Sequence, residues 1–143
     1  MKKMLLLALG LGFAQLVGAQ TLSPVGLWKN PAQQGFTFEI LPCGARLGGR
    51  LATVPTDPAT GKPLADPKNP DPKLRGQSRQ GLVFIQHFPF AEDNKWDKGK
   101  IYNPDDGRAY SATLTRKMAN ELELRGYLGI SLLGQTQTWT RLK

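Results

Sequence analysis

Residues 98–110 constrain the fold more than any other stretch, because strand-forming residues there flank a dense run of turn-forming ones. Ile101 and Tyr102 favour a β-strand, and residues 103–107 read Asn-Pro-Asp-Asp-Gly. Gly107 can adopt the positive φ that closes such a turn. The stretch therefore predicts a β-hairpin, and similar signals on both sides of it predict an all-β chain.

Strand signals separated by short turns recur along most of the sequence. In one of them Phe36, Phe38 and Ile40 alternate with polar residues, which is the two-residue period of a half-buried strand. The predicted strands cover residues 25–29, 36–41, 45–54, 81–88, 96–102, 108–116, 121–127 and 136–142. Because closure removes exposed strand edges, about eight short antiparallel strands predict a small meander barrel, with a two-sheet sandwich as the alternative.

A long proline-rich loop interrupts the strands at residues 55–80, with one short helical turn expected near residues 72–75. Loops of this length in a compact domain often bind ligands or cover binding sites, so this is the candidate functional loop. Asp66, Asn69 and Asp71 are predicted to organise it by accepting hydrogen bonds from local backbone amides. A calcium or catalytic role for these side chains is the alternative.

The first residues have the pattern of a secretory signal peptide. Two lysines precede an apolar run over residues 4–17, and small residues end at Ala19. We therefore expect cleavage after Ala19, a mature single domain over residues 20–143, and a periplasmic or secreted protein. An uncleaved anchor is the alternative, although the run is shorter than the ~20 residues that span a bilayer.

The chain is basic and carries one cysteine. Its net charge is +8, of which the two lysines of the leader supply +2. The basic residues are spread over most segments instead of clustering among aromatic side chains, which argues against nucleic-acid binding. Cys43 cannot form an intrachain disulfide, so we expect it to be buried or paired with another molecule.

No motif in the sequence predicts a reaction. His87 is the one histidine, and its apolar neighbours predict a packed or hydrogen-bonded structural residue instead of a general base. One histidine and one cysteine do not make a transition-metal site, so neither a metal nor a cofactor is expected. An unrecognised hydrolase would require two of four acids to converge. These acids are Glu39, Asp66, Asp71 and Asp97.

Aromatic and arginine side chains at the two ends of the domain predict how the barrel closes. Trp139 and Arg141 share a face of the last strand, and Trp28 lies in the first. A guanidinium stacked on an indole there would join first and last strands by a cation–π contact. The step Gly26-Leu27-Trp28, together with Arg141, resembles the opening and closing residues of lipocalins.

A second resemblance, to the bacterial exported family DUF2147, covers about residues 25–142. It rests on Gly26-x-Trp28, Cys43-Gly44, Asp66-Pro67-Lys68-Asn69-Pro70-Asp71, Trp96-x-x-Gly99-x-Ile101-Tyr102-Asn103-Pro104, Asp106-Gly107-x-x-Tyr110, Leu124-Arg125-Gly126-Tyr127 and Gly134-Gln135-Thr136-Gln137-Thr138-Trp139-Thr140-Arg141. The resemblance implies an exported lipocalin-like barrel without an established activity. Relatives commonly carry a second cysteine where this chain has Gly48, so the disulfide that it would form with Cys43 is absent.

These features give two leading hypotheses for function. The first is a barrel that binds a small, partly apolar ligand beneath the loop at residues 55–80, with Trp96, Tyr102, Tyr110 and Arg125 as candidate pocket residues. The second is a solid-cored structural or adaptor barrel whose basic surface recognises an envelope protein or a cell-wall polymer. A filled interior would favour the second hypothesis. Neither hypothesis includes a membrane span after the signal peptide is removed.

Overall fold

A computed structural model describes residues 23–127 and 135–143, and eight β-strands account for most of them. Among these residues the one helical element is a short 3₁₀ turn at Pro72–Leu74, where a helical turn was expected. The strands are β1 (Gly26–Lys29), β2 (Thr37–Cys43), β3 (Arg46–Thr53), β4 (Val83–Glu92), β5 (Lys95–Asn103), β6 (Arg108–Met118), β7 (Glu121–Tyr127) and β8 (Gln135–Arg141).

Each strand pairs with the next in sequence, and β8 pairs antiparallel with β1 to close the barrel. At the closing seam Trp28 lies opposite both Phe38 of β2 and Arg141 of β8. The predicted meander barrel is confirmed, and the sandwich alternative is excluded because the sheet is continuous. The central hairpin also forms as expected: Gly107 has φ +73°, and its N–H donates to the Asn103 carbonyl.

Aromatic side chains fill the barrel interior. The rings of Phe38 and Trp139 stack with centroids 4.3 Å apart, and Phe84 packs against both. Trp28 and Trp139 are at most 1% exposed. Burial of each such side chain contributes about 1.5–3 kcal/mol to folding, so the described interior is a packed hydrophobic core.

Strand β4 is irregular in a way that increases this packing. Its pairing with β3 shifts between Ile85 and Val83, so that Phe84 is the additional residue of a bulge. Because a bulge interrupts the alternation of side chains, the consecutive residues Phe84 and Ile85 are both buried. Further along, the Phe88 ring occupies the space that a side chain at Gly99 would need, since a Cβ there would lie 2.1 Å from the ring.

The up-and-down topology gives the barrel two different ends. At the closed end, tight turns at residues 44–45, 93–94 and 119–120 join the strands, and residues 23–25 and 142–143 also lie there. At the open end are the connections at residues 30–36, 54–82 and 104–107. The predicted signal peptide, residues 1–19, lies outside the described residues. Among those described, no helix is long and apolar enough to cross a membrane.

Candidate functional site

An apolar depression of the described surface lies on the outer wall of the barrel, across β2, β3 and β4. We call it the wall hollow; its volume is about 150 Å³. Two consecutive glycines of β3, Gly48 and Gly49, leave this part of the wall without side chains. The wall hollow is lined by Leu41, Cys43, Gly48, Gly49, Arg50, Val83, Ile85, Gln86 and His87.

Close packing explains why β3 carries glycine at these two positions. A Cβ at Gly49 would lie 2.9 Å from the Glu39 carbonyl oxygen and 3.1 Å from the Ile85 side chain. A Cβ at Gly48 would lie 2.8 Å from the Cys43 sulfur. The pair therefore lets three strands approach closely, as glycines within strands often do. Both glycines are buried at the floor of the hollow, and Leu41, Cys43 and Val83 supply apolar surface around them.

Polar side chains border this floor on two sides. The Arg50 Nε donates to the Glu39 carboxylate at 2.8 Å, and the Arg50 side chain stays 49% exposed. Gln86 and His87 border the floor from β4. The wall hollow thus combines an apolar floor with a cationic and hydrogen-bonding edge.

His87 differs from its predicted role as a packed histidine, because the structure leaves it exposed. Its backbone has φ +59°, a left-handed conformation that is rare for a non-glycine residue. The resulting irregularity gives the buried position to Phe88, which is fully buried opposite Leu47. Cys43, which was expected to be buried or paired with another molecule, is exposed, so the buried alternative is wrong.

A second depression, of about 370 Å³, lies at the open end and is more polar and more open. It is lined by Asn30, Pro31, Ala32, Thr136, Gln137 and Thr138. Neither this depression nor the wall hollow is lined by the loop at residues 55–80, where the sequence placed the ligand.

That loop is instead anchored to the rim of the barrel through Asp66, which is 1% exposed. Its carboxylate accepts hydrogen bonds from the Tyr102 hydroxyl at 2.8 Å and from the Asn69 amide at 2.7 Å. Asn69 in turn accepts from the Asp71 N–H, and Asp71 caps the 3₁₀ turn by accepting from the Lys73 N–H. All three residues predicted to organise the loop take part in its hydrogen bonding.

The turn between β5 and β6 forms the other half of this anchor. Arg79 donates to the Ala65 carbonyl and to the Asp105 carboxylate, in each case near 2.7–2.8 Å. The Lys68 ammonium donates to the Asp105 carbonyl. Gly107 lies against the loop so closely that a Cβ would be 2.2 Å from the Lys68 carbonyl oxygen.

Two rim tyrosines have raised pKa values. Burial, followed by the hydrogen bond to Asp66 and its charge, raises the pKa of Tyr102 to about 12. The hydrogen bond to the Asp106 carboxylate is the main cause that raises the pKa of Tyr110. Desolvation opposes ionisation of Asp106, but hydrogen bonds from Tyr110 and from the Arg108 N–H lower its pKa overall.

The four predicted pocket residues do not meet in one site. Trp96 is 6% exposed and belongs to the core, where Phe90 packs edge-on against it. Tyr102 and Tyr110 lie at the rim with their hydroxyls bonded to aspartates. Arg125 alternates with the buried Leu124 and donates to the Thr136 hydroxyl across the outer wall.

The acids of the hydrolase alternative also have separate partners. Asp97 accepts from the Thr113 hydroxyl at 2.8 Å, while Glu39 is paired with Arg50. Asp66 and Asp71 serve the loop as described above. In the part of the chain that the structure describes, no group of three acids, histidines or cysteines is placed to hold a metal ion.

The closed end contains the predicted cation–π contact between Arg141 and Trp28, and a second arginine, Arg116, also contacts the Trp28 ring. The Arg141 guanidinium lies 4.8 Å from the Trp28 ring centre, and the Arg116 guanidinium lies 4.6 Å from it. The Trp28 indole N–H donates to the Pro24 carbonyl, whereas the Trp139 indole N–H donates to Gln137 and its ring stacks in the core.

Sequence reasoning did not single out Arg116, although a signal was present. Arg116 continues the face of β6 on which Ala112 and Leu114 are buried, and it is itself 5% exposed. Its guanidinium donates to the carbonyls of Ser23, Met118 and Ala119. Burial, with a smaller effect of the Arg141 charge, lowers the pKa of Arg116 to about 10.

A closed eight-stranded meander with these closing residues defines a lipocalin-like barrel. A solved structure described as "Protein HP1028 from the human pathogen Helicobacter pylori belongs to the lipocalin family" has a TM-score of 0.72 and 25% sequence identity, and the match covers 86% of this chain and 85% of that one. The chain belongs to the DUF2147 family, described as uncharacterized proteins conserved in bacteria, whose model matches residues 26–141. The family resemblance inferred from sequence is thereby confirmed. No curated protein matches the chain.

Proposed function

We propose that the protein is an exported, ligand-binding barrel, periplasmic or secreted, that holds a small and partly apolar ligand. The observation that carries the proposal is the wall hollow, in which Leu41, Cys43 and Val83 supply apolar surface around the buried Gly48 and Gly49, with polar groups on the edge. Small-ligand sites commonly combine apolar lining with a few placed polar groups. The packed interior supports a ligand on the wall instead of one enclosed within the barrel.

The volume of the wall hollow limits the size of the apolar group. A cavity of about 150 Å³ accepts a benzene-sized molecule. We therefore expect the site to seat a group of about six carbons, as a whole small molecule or as one end of a longer one.

Binding can be tested by nuclear magnetic resonance titration of the mature protein with 1-hexanol, a neutral probe of that size. We expect saturable amide shifts confined to residues around the wall hollow. Val83→Asp places a charge on an exposed position of the lining and should abolish them. Met118→Asp is the matched control, because Met118 is also an exposed apolar residue but lies at the end of β6. Equal loss in both variants, or shifts elsewhere, would contradict the proposal.

Export of the protein is tested separately from ligand binding. In a bacterial host that exports the full chain, the protein recovered from the periplasm or medium should begin at Gln20, which mass spectrometry of its N-terminal peptide determines. Recovery only of an intact leader in the membrane fraction would contradict export as a soluble domain.

The packed interior and the positive net charge also favour a second function, that of an adaptor for an envelope protein or a cell-wall polymer. Binding through surface charge weakens as salt rises. Co-sedimentation with purified cell walls at low and high salt therefore distinguishes the adaptor, which should be released by salt, from a barrel that binds only small ligands and stays in solution in both conditions.

A further inference from the structure

We infer that the wall hollow selects a small carboxylate, with the aliphatic or aromatic part on the glycine floor and the carboxylate beside Arg50. This inference rests on the proposed function and adds the chemical class of the ligand. The apolar surface of the hollow does not distinguish an acid from an alcohol or an amine, so the inference depends on the charged groups around the hollow.

The described residues that line the wall hollow include hydrogen-bond donors and no acid. Arg50 contributes a permanent positive charge, and Gln86 and His87 contribute further polar groups on the β4 side. Glu39, which is not among the lining residues, accepts a hydrogen bond from the guanidinium Nε. Because the Arg50 side chain is 49% exposed, its guanidinium also faces solvent, where a ligand carboxylate can reach it.

A carboxylate at the Arg50 edge gains from the charge of the guanidinium, whereas an ammonium group there would be repelled by it.

The geometry of the floor places the two halves of such a ligand. Val83, an exposed apolar residue of the lining, lies opposite Arg50 in the ladder between β3 and β4, so apolar surface and the guanidinium are adjacent. A six-carbon chain that covers the floor brings a terminal carboxylate to the Arg50 edge. This pairing of a short apolar group with one charge matches a small amphiphilic anion.

The test compares three probes of equal chain length, hexanoate, 1-hexanol and hexylamine, by the same amide shifts. Because Arg50 is half exposed, we expect hexanoate to bind about fivefold more tightly than 1-hexanol, and hexylamine to bind most weakly. Hexanoate binding no tighter than 1-hexanol would overturn the selectivity but leave the proposed function intact. Failure of all three probes would overturn both.

Two variants test the role of Arg50. Arg50→Gln should remove the preference for hexanoate without changing the affinity for 1-hexanol. The matched control is Lys117→Gln, since Lys117 is 47% exposed and is paired with Glu123 much as Arg50 is paired with Glu39. Equal effects of the two substitutions would assign the preference to net charge and overturn the site.

Glu39→Gln provides a change in the opposite direction. Removal of the carboxylate that holds the Arg50 Nε leaves the guanidinium with more positive potential toward the ligand. Hexanoate should then bind more tightly while 1-hexanol is unaffected. An unchanged or weaker affinity for hexanoate in this variant would contradict the placement of the carboxylate.

Discussion

The two ends of the barrel each bury a charged side chain, but they satisfy it in different ways. At the closed end Arg116 is 5% exposed and donates to three backbone carbonyls beneath the Trp28 ring. At the open end Asp66 is 1% exposed and accepts from two side chains, Tyr102 and Asn69. A buried charge needs such partners, because burial without them costs several kcal/mol.

The difference lies in what each set of hydrogen bonds connects. Arg116 joins the turn after β6 to the segment before β1, next to the seam at which the barrel closes. Asp66 joins a loop to one strand, β5, within a sheet that is already continuous. We therefore expect damage at the closed end to destabilise the whole barrel, and damage at the open end to release mainly the loop.

The largest effect should follow Trp28→Ala. Trp28 is fully buried, contacts two guanidinium groups and lies at the seam between β1 and β8. Removal of a buried tryptophan side chain typically costs about 3–5 kcal/mol in the free energy of unfolding. Urea unfolding followed by circular dichroism measures the loss, and Trp28→Phe should retain part of the stability. A small loss confined to one strand would contradict the role assigned to the closed end.

Asp66→Ala tests the open end. The substitution leaves the Tyr102 hydroxyl and the Asn69 amide without their acceptor, at a cost of about 1–3 kcal/mol. Because the lost hydrogen bonds hold the loop in place, amide exchange and proteolytic cleavage should increase within residues 55–80 and change little in the core strands. Loss of protection throughout the barrel would mean that the two ends do not differ as proposed.

Gly48→Cys should stabilise the hairpin of β2 and β3, whose turn at residues 44–45 lies at the closed end. A Cβ at this position would lie 3.9 Å from the Cys43 Cβ, near the ~3.8 Å mean of disulfides. For such a short loop the chain-entropy model gives about 2 kcal/mol of stabilisation. The oxidised variant should unfold at higher urea than its reduced form, with no reactive thiol left. Gly48→Ala controls for the added Cβ, and two titratable thiols in the oxidised sample would contradict the prediction.

Local signals in the sequence predict most of the fold. The alternation in β2 correctly predicts that Phe38 and Ile40 are buried, and the Asn-Pro-Asp-Asp-Gly turn forms with Gly107 at positive φ. His87 was placed wrongly because bulges change the alternation. An alternating pattern contains no information on where an additional residue enters the ladder.

The site was less predictable because it depends on pairs of residues distant in sequence. Asp66 and Tyr102 are 36 positions apart, and no local pattern indicates that the loop folds onto β5. The wall hollow depends on glycines of β3 facing a bulged β4, whereas the sequence search looked for aromatic pocket residues. The glycines of β3 show their effect only in the folded barrel, where a Cβ at either position would lie within 3 Å of a neighbouring strand.

The smallest expected effect is a pH dependence of the contact between Tyr102 and Asp66 at the open end. Tyr102 has its pKa raised from 10.0 to about 12, by burial and then by Asp66. Because the neutral phenol is favoured in the folded protein, its contribution to stability is complete below about pH 10 and is lost as pH rises through about 12. The loop should therefore loosen over this range.

The phenolate absorbance of the wild type minus that of Tyr102→Phe isolates this titration. Asp66→Asn should lower the pKa of Tyr102, because it removes the negative charge that opposes phenolate formation. Tyr110, whose hydroxyl donates to Asp106, serves as an internal control that this substitution leaves in place. If the pKa of Tyr102 is the same in Asp66→Asn and in the wild type, burial alone raises it. The negative charge of Asp66 would then make no contribution to the pKa of Tyr102.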